Sequence, residues 1–334
     1  MKSSKKILLI SGSALVGAPQ NIMKALNSFS DYDASLIVEE DYAGARNGFF
    51  TADAIVLSDD NLELIKYKIS NADIIQIHNK ISSKLEGLIL ENTTTENFIY
   101  QVHSPLRESP LYSDLTQDMR IKFKVKAACA QYHGYIYPDY INLPLIVNYS
   151  PSIREYDGGK INVLFCPSHA GIKGKWNRKS STEFNEIVND FSRLPGVNVI
   201  RPTKPVRPQE LFEIRKTCHI SIDEILTGTF HTISLEGLCA GNVVINNSDF
   251  FTNRILQNSA GAETPPPFYR SNESNLFDNL VDLYRNPDLL VKIQRDSYMY
   301  FINYLRPKAL IKKYIDIYNE LLVNESVVEF IHAS

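Results

Sequence analysis

The residues able to do chemistry in this 334-residue chain gather in a few short stretches. The segment Thr227–Asn247 reads TGTFHTISLEGLCAGNVVINN and carries one acid, Glu236, among small residues, Gly237, Cys239 and Ala240. Such residues let another backbone or a flat ligand come close. A carboxylate facing a crevice there can accept hydrogen bonds from vicinal hydroxyls, as on a ribose; the bland alternative is a solvated surface acid. A second stretch, 173–180, places Lys173, Lys175, Arg178 and Lys179 within seven residues, just before helical text that opens at Thr182. Cations beside a helix N-terminus suit phosphate oxygens, because the donors and the helix dipole point the same way. His169 stands just upstream, after an apolar run. Two further histidines, His78 and His103, end apolar runs and are either ligand contacts or satisfied polar residues at strand ends. His103 is the better contact, because its loop continues into Pro105 and is held extended.

Several kinds of chemistry are disfavoured. Gly12 and Gly17 bracket a small-residue loop but stand five apart, so the dinucleotide pattern G-x-G-x-x-G is missing. No P-loop occurs, and no DxD-like acid pair is placed for a divalent ion. The four cysteines, Cys129, Cys166, Cys218 and Cys239, are far apart and form no CxxC pair, which fits reduced thiols rather than a zinc site or disulfides. A net charge of −3 gives no reason to expect nucleic acid as a partner. The apolar run near the start is too short for a signal segment or a membrane span, so the expected location is cytoplasmic. Arg120, Lys122, Lys124 and Lys126 alternate with apolar residues, either as a solvated basic face or as a patch meeting anionic headgroups at a membrane's inner face.

These residues must be held by alternating strands and helices. The expected strands are Lys6–Ile10, Ser35–Val38, Asp73–Ile77, Phe98–Val102, Tyr135–Tyr140, Leu145–Asn148, Asn162–Cys166, Val197–Ile200, Ile220–Ile222 and Val243–Ile245. Helical text lies between most of them, and the segment after Lys126 turns helical in composition. Apolar strands alternating with helices predict parallel sheets covered on both faces. At this length two units are expected: a Rossmann-like domain over 1–155, a second over 156–305, and a C-terminal segment, 306–334, that returns to the first. The boundary is expected at the glycine-rich text Tyr156–Lys160. The fold class is thus α/β, with two doubly wound parallel sheets.

Leu235-Glu236-Gly237-Leu238-Cys239-Ala240-Gly241-Asn242-Val243-Val244-Ile245 resembles a pattern of the nucleotide-sugar glycosyltransferases with the GT-B fold, especially the family 4 type. The resemblance extends over Phe165–Phe184 and Cys218–Glu224, and it covers the first half by architecture alone. It implies that Glu236 holds the donor's ribose hydroxyls and that Lys179 neutralises the donor diphosphate. Lys173 or Arg178 would stand in for an arginine partner. It further implies that His103 lies near the donor sugar, that the loop Gly12–Gly17 faces the acceptor, and that Lys308–Val323 is the helix that crosses back.

Family 4 members commonly carry a second acid before the ribose-binding one, yet eight positions before Glu236 stands Gly228. Contact with the donor sugar then falls to Gly228, Thr229, Phe230, His231 and Thr232, or to Asp223 and Glu224. The implied activity is hexosyl transfer from a nucleotide-diphosphate sugar, a UDP-sugar ahead of a GDP-sugar, to a hydroxyl of a glycan or lipid-linked glycan, as in surface polysaccharide synthesis. No metal or other cofactor is implied. Retention would let the leaving phosphate take the acceptor's proton, whereas inversion would need a base, for which His103 is the candidate. The alternatives are a nucleotide-sugar 2-epimerase of the same fold and a non-catalytic sugar-nucleotide or glycan-binding module.

Overall fold

The computed structural model describes residues 4–41, 52–103, 116–129, 139–166 and 181–323. They form two compact units: the described residues up to Asn148 together with Pro307–Val323, and Tyr149–Arg306.

The first unit is built on a parallel sheet of seven strands: β1 (Lys6–Ser11), β2 (Asp33–Val38), β3 (Ile55–Val56), β4 (Ile74–His78), β5 (Phe98–Val102), β6 (Val125–Cys129) and β7 (Ile141–Leu143), in the order 3-2-1-4-5-6-7. β4 and β5 are buried along their whole length, as strands of a doubly covered sheet should be, with Gln76, His78 and Gln101 as their buried polar residues. The helices are α1 (Ala18–Phe29), α2 (Leu62–Ser70) and α3 (Ser83–Asn92). One core lies between the sheet and α2 and α3, where Ile65, Ile69, Leu85 and Ile89 meet Ile75, Ile77 and Phe98.

The second unit has a five-stranded parallel sheet, β8 (Ile161–Phe165), β9 (Val197–Ile200), β10 (Ile220–Ile222), β11 (Val243–Asn246) and β12 (Tyr269–Arg270), in the order 12-11-10-8-9. Its helices are α4 (Thr182–Ser192), α5 (Pro208–Arg215), α6 (Thr232–Cys239), α7 (Phe250–Ala260), α8 (Leu276–Arg285) and α9 (Pro287–Tyr300). Ser181 caps α4, accepting from the Phe184 amide at 2.9 Å. The strand order reverses between β1 and β4 and again between β8 and β10. In sheets of this kind a ligand sits outside the carboxyl ends of the strands at the reversal.

The helix expected at Lys308–Val323 is α10 (Pro307–Val323), and it belongs to the first unit. Its buried tyrosines enter a polar ladder behind the sheet. Tyr318 donates to Gln76 Oε1 at 2.5 Å, Gln76 Nε2 donates to Gln101 Oε1 at 2.6 Å, and Gln101 Nε2 donates to the Tyr314 hydroxyl at 3.0 Å. Tyr314 in turn donates to the Pro144 carbonyl at 3.0 Å.

Local composition misleads in a few places. Val125–Cys129 is alanine-containing text of helical character, yet it is strand β6, because pairing with β5 and β7 on both sides overrides propensity. The strand expected within Tyr135–Tyr140 falls partly outside the described residues, and the paired segment nearby is Ile141–Leu143. Leu145, Ile146 and Val147 are buried but lie outside any strand. The chain passes to the second unit at Tyr149, ahead of the glycine-rich text: the Ser152 amide already donates to the Cys239 carbonyl, and Gln294 bonds the Tyr156 amide and the Arg154 carbonyl. Helix α7 has little apolar periodicity and is set by its ends, with Asp249 accepting from the Thr252 amide and Gly261 left-handed at φ 63°.

The loop after β1 is tightly determined. A Cβ on Gly12 would lie 2.4 Å from the Lys80 carbonyl oxygen, so only glycine fits there. Farther on, Val16 is held at φ 54°, a strained conformation for a β-branched residue, just before Gly17 at φ 79°. Gly12→Ala should therefore destabilise the first unit by about 1–3 kcal/mol. The check is a lower urea midpoint with an unchanged m-value.

Candidate functional site

The turn after β10 and helix α6 carry four of the polar side chains singled out from the sequence, Asp223, Glu224, His231 and Glu236. Glu236 lies in the middle of α6, and its side chain is 13% exposed. Its Oε2 accepts from Arg215 Nη2 at 3.0 Å. Arg215 comes from the end of α5, is fully buried, and also donates through Nη1 to the Ser221 hydroxyl on β10. Among the described residues, no hydrogen bond occupies Glu236 Oε1. Burial pushes the Glu236 carboxyl above its ordinary value, and the Arg215 guanidinium opposes that shift. The result is a largely buried carboxylate, fixed from behind by a cation, with one oxygen uncommitted. Burial pushes the thiol of Cys166, just past β8, above its ordinary value, while the charges of Arg215 and Glu236 act on it in opposite directions.

Next to it lies the turn between β10 and α6. Asp223 Oδ2 accepts from the His231 amide at 2.9 Å and from the Ser234 hydroxyl at 2.7 Å, while Oδ1 meets His231 Nδ1 at 3.2 Å. Asn246 Nδ2 donates to the Ser234 hydroxyl at 2.9 Å, tying β11 into the same cluster. Asp223 thus fixes the start of α6, the helix that carries Glu236. Glu224 is buried, and both of its oxygens are engaged inside the loop: Oε2 accepts from the amides of Leu226 and Thr227, and Oε1 from the Thr227 hydroxyl at 2.6 Å. It shapes the loop, so a ligand finds no unused oxygen on it. The Phe230 ring is completely buried against Phe268, and the Thr229 hydroxyl meets that of Thr227 at 2.9 Å. What Phe230 can offer a ligand is therefore its backbone. Gly228 is left-handed at φ 77°, and its carbonyl accepts from the Asp249 amide. His231 and Thr232 open α6 and are half-buried.

The small residues of this stretch serve packing. A Cβ on Gly237 would lie 2.7 Å from Val244 Cγ2, and one on Gly241 would lie 2.8 Å from the Ile153 side chain. They let α6 close onto β11 and onto the segment entering the second unit, rather than making room for a flat ligand.

His103 sits at the carboxyl end of β5 in the first unit and is partly exposed. Its Nε2 meets His78 Nδ1 at 2.8 Å, and its Nδ1 meets Cys129 Sγ at 3.1 Å. Burial pushes the imidazole down to about 3 and drives the Cys129 thiol up. His103 is thus a neutral ring with both nitrogens engaged, a poor base for a sugar hydroxyl near neutral pH. The three other cysteines are likewise free thiols.

His169, Lys173, Arg178 and Lys179 lie outside the described residues. Within the basic stretch 120–126, Arg120 bonds Glu86, Lys124 donates to Asn97 at 2.9 Å, and Lys126 lies 5.8 Å over the Tyr140 ring, while Lys122 is exposed. Three of these four cations are tied to their own unit. Among the described residues, no group of three or more metal-ligating side chains comes together, and no helix is long and apolar enough to cross a membrane.

Two members of the site, Arg215 and Ser234, were missed from sequence. Arg215 reads as an ordinary basic residue in the last turn of a helix, favourable to the dipole. Its spacing from Phe212, three positions earlier on the same face, is the one signal that it points inward. The cluster of Asp223 with Ser234 joins residues eleven apart, a link no local pattern displays.

No family model matches the chain, and no curated protein matches it in sequence. Solved structures do match over nearly the whole length. An alpha-glucosyltransferase in complex with UDP and a mismatched 13-mer DNA superposes with a TM-score of 0.66 at 10% identity, covering 95% of this chain and 100% of the other. Anabaena HepE in complex with UDP-glucose gives 0.61 at 9% identity, covering 94% and 99%. A glycosyltransferase from Rickettsia africae gives 0.57 at 14% identity, covering 97% and 100%. Likeness at this identity speaks to architecture, and it agrees with the two parallel sheets and the returning helix: this chain has the GT-B fold.

Proposed function

We propose that the protein is a glycosyltransferase of hexosyl type that binds a UDP-sugar at the carboxyl edge of its second unit. The observation that carries this reading is Glu236, a carboxylate braced by Arg215 with Oε1 uncommitted, on a fold whose solved examples include complexes with UDP and UDP-glucose. An ionised carboxylate is acceptor-only and so suits a pair of ribose hydroxyls. Beside it, the backbone of Gly228–His231, held in shape by Asp223 and Glu224, offers the donor sugar its polar contacts. Lys179, with Lys173 or Arg178, is proposed to meet the diphosphate, so that no metal is required.

The transfer breaks the bond between the sugar's anomeric carbon and the diphosphate oxygen and forms one to the acceptor's hydroxyl oxygen. The hydroxyl proton passes to the leaving diphosphate. This retaining route asks for no basic side chain, and the low basicity of His103 favours it over inversion. The proposed acceptor is a glycan or lipid-linked glycan of a surface polysaccharide.

Thermal unfolding in the presence of UDP, GDP, CDP and dTDP tests the reading. UDP at a hundred times its Kd should add about 2.7 kcal/mol of stability. UDP-sugar turnover should then depend on an added glycan acceptor. A 2-epimerase would consume donor without acceptor and yield an epimer, and a binding module would release no nucleotide. Indifference to every nucleotide would refute the proposal.

A further inference from the structure

Arg201 follows β9 directly and so stands at the carboxyl edge of the second sheet. β9 pairs with β8, Ile200 opposite Leu164, and the Arg201 guanidinium lies 4.7 Å from the ring centre of Phe165, the last residue of β8. Its Nη2 is buried with no hydrogen-bond partner. Burial alone pushes the guanidinium below its ordinary value; no acid offsets the effect. Arg215, a fully buried arginine at the end of α5, by contrast has both Glu236 and Ser221.

A desolvated donor on a permanent cation costs free energy when nothing accepts from it. The face of Phe165 offsets part of that cost, but a ring accepts no in-plane N–H. Buried polar groups left open in this way call for an explanation, and here the missing partner is an acceptor that the described residues do not supply. Arg201 stands one strand from the reversal between β8 and β10, at the edge where a ligand of this fold lies. A planar fork with an unused N–H fits an anionic oxygen better than it fits an apolar or cationic group.

We infer that Arg201 is a donor-binding residue whose Nη2 takes a phosphate oxygen of the nucleoside diphosphate. This rests on the proposed use of a nucleotide sugar and adds a phosphate contact on β9. The competing role is purely structural, with the Arg201 stem covering Phe165.

Arg201→Met keeps an apolar stem over Phe165 and removes the charge, while Arg201→Lys keeps the charge and loses the fork. Calorimetric Kd values for UDP and for uridine should be measured on wild type and both variants, alongside unliganded melting temperatures. UDP binding by Arg201→Met should weaken about 10- to 100-fold, the range for a hydrogen bond to a charged group, with uridine binding unchanged. Arg201→Lys should fall between wild type and Arg201→Met, and it carries the test if Arg201→Met melts early. The inference is overturned if both variants bind UDP as wild type does, or if UDP and uridine weaken equally. A wild type that binds no nucleotide overturns the proposed function itself, which separates the two failures.

Discussion

Glu236→Gln should weaken UDP binding by about 10- to 100-fold while leaving the fold intact. The amide keeps the shape of the side chain but loses the charge that strengthens each hydrogen bond from a ribose hydroxyl, and bonds to charged groups contribute about 1.5–3 kcal/mol. Its rotated NH2 can also present a donor where a hydroxyl proton needs an acceptor. The loss should appear in the KM for the donor at least as strongly as in kcat, because the ribose is bound in the ground state and the transition state alike. Glu236→Ala should be worse in a second way, since it strands the fully buried Arg215 without its carboxylate. Calorimetry on Glu236→Gln and denaturation of both variants check this. Wild-type UDP affinity in Glu236→Gln would remove the carboxylate from the site.

Arg215→Met should cost about 3–5 kcal/mol of stability, because it removes the cation that faces a largely buried carboxylate and leaves the Ser221 hydroxyl without its donor. A urea titration against wild type gives the number. The pair also governs how stability depends on pH. Burial holds the Glu236 carboxyl above its ordinary value in the folded protein, so the folded state keeps its proton over a range where the unfolded chain has released it. The associated stability is fully present below the unfolded value and is lost as pH rises through the folded one. Arg215 pulls that value down, so its removal should raise it and extend the loss to higher pH. Unfolding free energy measured from pH 4 to 8 should decline more steeply in Arg215→Met than in wild type. Glu236→Gln should remove the component altogether. In Arg215→Met, UDP should also bind better as pH rises, since Glu236 must ionise to accept both hydroxyls.

Much of the fold was legible because buried parallel strands are predominantly apolar runs with few polar interruptions: Lys6–Ser11, Phe98–Val102 and Ile220–Ile222 stand where such runs stand. The tyrosines and aliphatics of Pro307–Val323 fall at helical spacing, and that periodicity alone marks an amphipathic helix. β6 was not legible, since its alanines favour a helix until neighbouring strands pair with it on both sides. β12, only two residues long, offers no periodicity to detect.

In the site, the sequence by itself picked out Glu236, because a lone acid in an apolar, small-residue segment is visible in one dimension. It also named Glu224, His103 and the glycine turn at Gly228 as polar features at strand ends. Only the tertiary structure decided what each can do. Glu224 is used up by its own loop, His103 is held neutral between His78 and Cys129, and Glu236 is braced by an arginine twenty-one residues earlier in the chain. The physical reason is that an acid's or a base's chemistry depends on its charge partners and its burial. Those are contacts between residues far apart in sequence, which no local spacing encodes.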